Sequence, residues 1–450
     1  MTQSSGAEGP LGRSFHLRER GTGIRSEVIA GITTFSSMSY ILAVNPLVLS
    51  SAGMDHIQLI TVTALASMIG TLIMALWANL PLALAPGMAG NVIFANVVVQ
   101  RMGVPFPVAL AMVFTSALIF LTLSLTGWRE RIIRSFPDPM RIGIQASLGL
   151  FIAWIGLKNS GLLLVGQGHV AFAPLGDPAH ILAYVAVLIT VVLVALRVPA
   201  GLLASIIAVS LIGLWVPDGN GGTVTRLPQS LVAWPAAPSQ MFLALDFPGF
   251  AGNFLTLLPV LLYFCINDFF GVTATLVGVT RRAGLLGPDG RIPNARQAYA
   301  ADGIASAAGA ALGTSTVGVF VESATGVEAG ARTGLASLTV ALLFGLSCFF
   351  WPLLAVIPAQ ATAPALIVVG LLMLEAVVDL DRSHVENAIP PLLMVVVTAC
   401  TTDLMAGFAT GCVMYTLLVA GKRGLRAVSP MLWGIDAVLV LYLALAARIG

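Results

Sequence analysis

Charge is scarce in this chain. Only 9% of its 450 residues are charged, 58% are hydrophobic, and the mean hydropathy is +0.95, a composition that excludes a water-soluble domain of this size. Cysteine is scarce as well. Cys265, Cys348, Cys400 and Cys412 lie in apolar segments without metal-ligand spacing, which argues against zinc and disulfides and for small packing residues. His16, His56, His169, His180 and His384 fall in tails or loops, so a histidine proton relay has no support. There is no Gly-x-x-x-x-Gly-Lys-Ser/Thr loop, no nucleophile elbow, no His-Glu-x-x-His pair and no basic-aromatic patch, which excludes ATP hydrolysis by this chain, the common hydrolytic enzymes and nucleic-acid binding. No cofactor or metal is expected. Work done by such a protein must draw on a gradient.

Long apolar runs are plentiful. They lie at about 28–50, 57–79, 83–100, 104–126, 139–157, 179–197 and 199–216, then at about 250–280, 299–313, 315–330, 333–357, 362–378, 386–400 and 403–421, each close to the length of a bilayer crossing. The expected fold is an all-α polytopic membrane protein of about fourteen helices. Basic residues gather at Arg13 to Arg25, Arg129 to Arg141, Arg281 to Arg296 and Lys422 to Arg426, all on one side with this count, which places the N-terminus in the cytoplasm. Residues 1–27 read as a cytoplasmic tail with no cleavable leader. Residues 217–249, rich in proline, read as an extracytoplasmic connector between a first repeat at 28–216 and a second at 250–450. Seven helices repeated after an odd count enter the membrane in opposite senses, the arithmetic of an inverted repeat whose ligand site lies where the halves meet. The apolar segment 431–448 is left open between spanning and lying in the interface.

Two short, interrupted segments occupy the third position of each half. One runs Ala83-Leu84-Ala85-Pro86-Gly87-Met88-Ala89-Gly90-Asn91 and the other Leu312-Gly313-Thr314-Ser315-Thr316-Val317-Gly318. Non-helical backbone at membrane depth persists only where it is buried or lines a cavity. A single segment of this kind reads equally well as a kink; a matched pair favours a site, with helix N-termini facing a ligand. Glu322 follows the second segment and Asp268 sits mid-helix in Phe264-Cys265-Ile266-Asn267-Asp268-Phe269. A carboxylate at that depth costs several kcal/mol unless it has a partner, a proton or a use. Asp246, Asp302, Asp379, Asp381 and Asp403 sit near segment ends, where water and headgroups can solvate them. Glu375 is held as a weaker third candidate, and Glu328 as an interfacial acid.

The runs Gly31-Ile32-Thr33-Thr34-Phe35, Val44-Asn45-Pro46, Ala83 to Met88, Leu312 to Val317, Glu322-Ser323 and Arg332-Thr333-Gly334-Leu335 resemble, in order and separation, the AzgA-like branch of the nucleobase-cation symporter family (xanthine, uracil and purine permeases). The resemblance covers residues from about 15 to 420. It implies a seven-plus-seven inverted repeat in which a core domain moves against a gate domain, with short strands opening the third and tenth helices. By motif match it implies a substrate site of Asp268, Glu322, Asn91, Gly87, Met88 and Thr316, with proton coupling at Glu322 and Asp268. The implied substrates are purine bases such as adenine, guanine and hypoxanthine, imported with protons across the plasma membrane; a homodimer is left open. Two departures adjoin the site: relatives usually carry Asp-x-Phe-Asp-Thr where this chain has Gly271 and Val272, and Gly-Met-Gly-Leu-Asn where it has Gly87-Met88-Ala89-Gly90-Asn91.

The chemistry suits such a ligand. Ionised carboxylates accept hydrogen bonds, a purine offers ring and exocyclic N–H donors, and strand amides can meet its ring acceptors. Two acids at one ligand in a low-dielectric site can also hold a shared proton. The alternatives are a carrier of another small heterocycle or organic anion on the same fold, which a fixed negative Glu322 would repel, and a membrane purine sensor that does not transport.

Overall fold

The computed structural model describes residues 10–126, 136–166, 169–198, 200–219, 221–287 and 292–449. Arg129, Arg131, Arg134 and Arg291, from two of the basic clusters, lie outside the described residues. The first half contains α1 (Ile24–Met38), α2 (Ile41–Ser50), α3 (His56–Ile73, extended by a π-turn to Ala78), β1 (Leu84–Pro86), α4 (Met88–Val92, continued by π-turns through Ile93–Arg101), α5 (Phe106–Thr126), α6 (Asp138–Asn159), β2 (Leu163–Gly166), β3 (His169–Phe172), α7 (Pro178–Ala195) and α8 (Gly201–Ile212). The second contains α9 (Phe254–Arg282), α10 (Ala295–Leu312), β4 (Val317–Val319), α11 (Ser323–Glu328), α12 (Gly334–Ser347), α13 (Ala359–Leu374), α14 (Val385–Thr401), α15 (Leu404–Arg423) and α16 (Pro430–Ile449).

Among the described residues, nine helices are long and apolar enough to cross a bilayer, the first of them the broken pair α1–α2. The shorter α8 and α14, the polar-flecked α10 and the two strand-led segments complete the fourteen expected. The protein is a multi-pass membrane protein.

The helices pack as two bodies. In one, α12 lies against α1 and α3, α10 against α3 and α5, and α9 against α5, β4 and α11. In the other, α6 lies against α13, α14 and α15, while α7 packs on α8 and α13. Elements seven apart in the count meet face to face: β1 with β4, and α6 with α13. Glycine makes the second meeting possible. A Cβ on Gly149 would stand 2.5 Å from the Gly370 carbonyl oxygen, and one on Gly370 would stand 2.6 Å from the Ala153 nitrogen, the close backbone approach that small residues permit between membrane helices.

The β1–β4 ladder is antiparallel, pairing Leu84 with Val319, Ala85 with Gly318 and Pro86 with Val317. Two strands in an apolar interior leave their outer edges unpaired, and unpaired backbone there is costly. Helix hydroxyls serve those edges. Thr71 Oγ1 accepts from Leu84 N and donates to Leu84 O, both at 2.9 Å, and Ser306 Oγ accepts from Val317 N at 3.1 Å and donates to Val317 O at 2.8 Å. Thr71 belongs to α3 and Ser306 to α10, again seven apart.

The segment after α15 runs back along it. Tyr442, about 18 Å up α16 from Pro430 at helical rise, reaches Asp403 at the start of α15 with its hydroxyl. So α16 lies antiparallel to α15 rather than across its end. The hairpin β2–β3 on the α6–α7 connection was not expected from the hydropathy pattern.

Candidate functional site

Pro86 ends β1 and Gly87 turns the chain into α4; Val319 ends β4, and Phe320 and Val321 lead to Glu322 at the mouth of α11. The two turns face each other. Gly87 N donates to Thr316 O at 2.9 Å. The Ser315 hydroxyl donates to Asn91 Oδ1, and a Cβ on Gly90 would collide with the Thr316 side chain and stand 3.3 Å from Phe264 of α9. Gly87, Asn91, Ser315 and Thr316 therefore lie at one crossing of the two segments, with Met88 next in the chain after Gly87. Asn91 is wholly buried, and its Nδ2 has no partner among the described residues. Asn45 of α2 donates to Thr63 Oγ1 at 2.6 Å and to Thr314 Oγ1 at 3.4 Å, tying this crossing to α2 and α3.

Glu322 has a partner that the sequence reading missed. Tyr40, 2% exposed at the break between α1 and α2, donates its O–H to Glu322 Oε1 at 2.8 Å. Its hydroxyl in an otherwise apolar run was the available signal, since a buried tyrosine O–H needs an acceptor. The neighbouring turn is pinned as well, with Thr325 Oγ1 donating to Ser37 Oγ at 3.0 Å and Ala83 N donating to Ser323 Oγ at 3.0 Å.

Asp268 lies midway along α9, half-buried, and α9 packs on both β4 and α11. No hydrogen bond links Asp268 to Glu322 among the described residues; a cavity is lined by their chain neighbours Asn267 and Val321, and neither carboxylate is itself among its lining residues. It has a volume of about 700 Å³, is lined by Asn267, Gly271, Val321, Ala324, Gln145 and Met373 among others, and therefore lies between the two packed bodies. That volume is in the range of small-ligand sites. Its wall also includes Asp138 and Arg141 at the start of α6 and Arg282 at the end of α9, so it extends toward the face bearing these basic residues. Phe270 narrows that mouth, with the Phe136 ring 5.0 Å away and the Arg141 guanidinium 5.0 Å from its centroid.

Three other acids differ from the sequence reading. Asp302 is 1% exposed, and its Oδ1 accepts from Val319 N at 3.2 Å, so it supports β4 from α10 instead of meeting headgroups. Asp403 is also buried, capping α15 through Met405 N and Ala406 N. Glu375 is exposed in a 3₁₀ turn, because α13 ends at Leu374. Glu27, unremarked in the sequence, is wholly buried and accepts from Arg332 N, Thr333 N and Ala336 N at 2.8, 3.3 and 3.2 Å, closing the N-terminus of α12. Arg332 anchors a helix end, donating to Val327 O at 2.8 Å.

Paired strands lead into short helices near a cavity between two packed bodies, and the profile of the xanthine/uracil permease group, described as "Permease family", matches residues 25–410. This chain belongs to that permease family. It is a transporter by family, not an enzyme. The guanine/hypoxanthine permease PbuO of Bacillus subtilis is 37% identical over 424 residues, covering 93% of this chain and 96% of the relative. The adenine permease AdeP of Escherichia coli is 36% identical over 431 residues, covering 95% of this chain and 94% of the relative. Among solved structures, the transmembrane domain of the cyanobacterial bicarbonate transporter BicA superposes with a TM-score of 0.63 at 15% identity, covering 86% of this chain and 97% of that one. At that identity the likeness concerns the fold alone.

Proposed function

We propose that this permease imports purine nucleobases, adenine, guanine or hypoxanthine, by proton symport across the plasma membrane, with its N-terminus in the cytoplasm. The observation that carries the reading is Glu322: a carboxylate at the crossing of two strand-led segments, held by Tyr40 and flanked by cavity-lining Val321 and Ala324. Tyr40 occupies Oε1, which leaves Oε2 to accept an N–H from a base. Asp268 serves a second edge from α9. Asn91 Nδ2, a buried donor without a partner among the described residues, suits a ring nitrogen acceptor. The names of PbuO and AdeP support purines as the class.

Proton coupling rests on the same acids. A ligand that arrives neutral between two carboxylates leaves room for one shared proton, which halves the negative charge of the site for the passage between faces. Glu322 and Asp268 carry it as a pair. The remaining basic clusters on one face support the orientation.

Uptake of labelled adenine, guanine, hypoxanthine, xanthine and uracil in transport-deficient cells, with and without a protonophore, tests the whole reading. The expected result is accumulation of at least one purine that collapses with the protonophore. Accumulation of none of the bases would overturn the substrate class, and protonophore-insensitive accumulation would overturn the coupling.

A further inference from the structure

On the face opposite the cavity mouth, the two bodies touch through charge. Arg101, the last residue of the α4 segment, sets one guanidinium nitrogen 3.2 Å from Asp403 Oδ2 and the other 3.2 Å from Thr402 O. Arg101 belongs to the body built on α3 and α10, and Asp403 opens α15 of the other. Asp403 is held from three directions. Its Oδ1 accepts from Met405 N at 2.9 Å and Ala406 N at 3.1 Å, and the Tyr442 hydroxyl of α16 lies 3.4 and 3.3 Å from its two oxygens. Thr402 takes a φ of +50°, a conformation that β-branched residues avoid, and it is this turn that aims its carbonyl at Arg101. A second contact lies deeper: Tyr263 of α9 and Phe408 of α15 meet edge to face with centroids 5.5 Å apart.

We propose that Arg101, Asp403 and Tyr442 form a latch that closes this face while the cavity is open on the other, and that the transport cycle breaks it each time the site turns outward. The Arg101 side chain is 46% exposed and that of Asp403 only 4%. An ion pair with one solvated partner is weak enough to reopen and strong enough to bias a population. The Tyr263–Phe408 contact forms the apolar layer beneath it. In this arrangement α16, which lies beyond the fourteen helices, has a role of its own: it orients the carboxylate side of the latch.

The latch presupposes that the protein moves its ligand, and its test needs no ligand. In a chain carrying Cys400→Ser and Ala409→Cys, a membrane-impermeant maleimide is added to right-side-out and to inside-out vesicles. Ala409, next to Phe408 on α15, is wholly buried, so the introduced thiol reports opening while the Tyr263–Phe408 contact is kept. Arg101→Gln and Asp403→Asn are each expected to speed labelling about two- to fivefold on one side only, the range an ion pair of this exposure supports. Asn caps helices as well as Asp does, so the second variant keeps α15 intact, while the first leaves the cap untouched. The double variant is expected to match the singles. Unchanged labelling on both sides, or effects that multiply in the double variant, would overturn the latch. Failure of purine uptake in the cell assay leaves this result standing, which keeps the two readings separable.

Discussion

The hydroxyl of Tyr40 donates to Glu322 Oε1 at 2.8 Å across 282 residues of chain. It joins the break in the first span to the junction that follows β4, so one carboxylate oxygen has a fixed partner. A hydrogen bond to an ionised group contributes about 1.5–3 kcal/mol when its donor is well placed. The bond therefore sets how sharply the site is defined.

Tyr40→Phe is expected to raise the KM for the transported purine, because Glu322 loses the donor that fixes its carboxylate, and to lower the melting temperature of the purified protein by a few degrees, as loss of a bond of that size requires. Initial-rate uptake over a substrate series, alongside a thermal melt, checks both halves. An unchanged KM would mean that Tyr40 only fills space.

The α6–α13 contact is expected to tolerate no added carbon. A Cβ on Gly149 would press on Gly370 O at 2.5 Å and Met373 Cβ at 2.7 Å, and overpacking of this kind costs about 1–3 kcal/mol. Gly149→Ala should lower the melting temperature by several degrees and reduce uptake through the quantity of folded protein, leaving KM alone. Melting curves in detergent and uptake normalised to protein in the membrane distinguish the two effects.

Glu27→Ala removes a buried acceptor from three backbone N–H groups at the start of α12. Buried donors left without partners cost about 1–3 kcal/mol. The variant is expected to melt well below the wild type, and Glu27→Gln, which keeps one acceptor oxygen, to fall between them. Equal melting of all three proteins would remove the capping role.

Much of this was legible in the residues. Hydropathy placed the fourteen segments because bilayer depth constrains run length directly, and Pro86 with Gly87 marked the broken third segment because neither residue sustains a helix. The tenth was readable from Thr314 to Gly318 for the same reason. Depth, though, says nothing about partners. Asp302 and Asp403 read as solvated ends because each lies close to a segment boundary, yet Asp302 is buried against a strand N–H that only the fold brings near, and Asp403, which caps its own helix, is covered by Arg101 and Tyr442 from far along the chain. Glu375 read as deep because its run is apolar on both sides, while α13 in fact stops one residue earlier. Tyr40 and Glu27 were missed for a common cause: each meets its partner across more than 280 residues, beyond any periodicity. The strand edges were equally hidden, since Thr71 and Ser306 look like ordinary helix hydroxyls until β1 and β4 lie beside them.

The central claim is that Glu322 and Asp268 grip one purine base. Binding of labelled guanine, adenine and hypoxanthine to the purified protein tests it most directly, with wild type, Glu322→Gln and Asp268→Asn measured side by side. The account predicts saturable binding of a purine to the wild type, competed by unlabelled base, and about tenfold to hundredfold weaker binding in each variant, as expected for loss of a charge-assisted hydrogen bond. Wild-type affinity in both variants would contradict it.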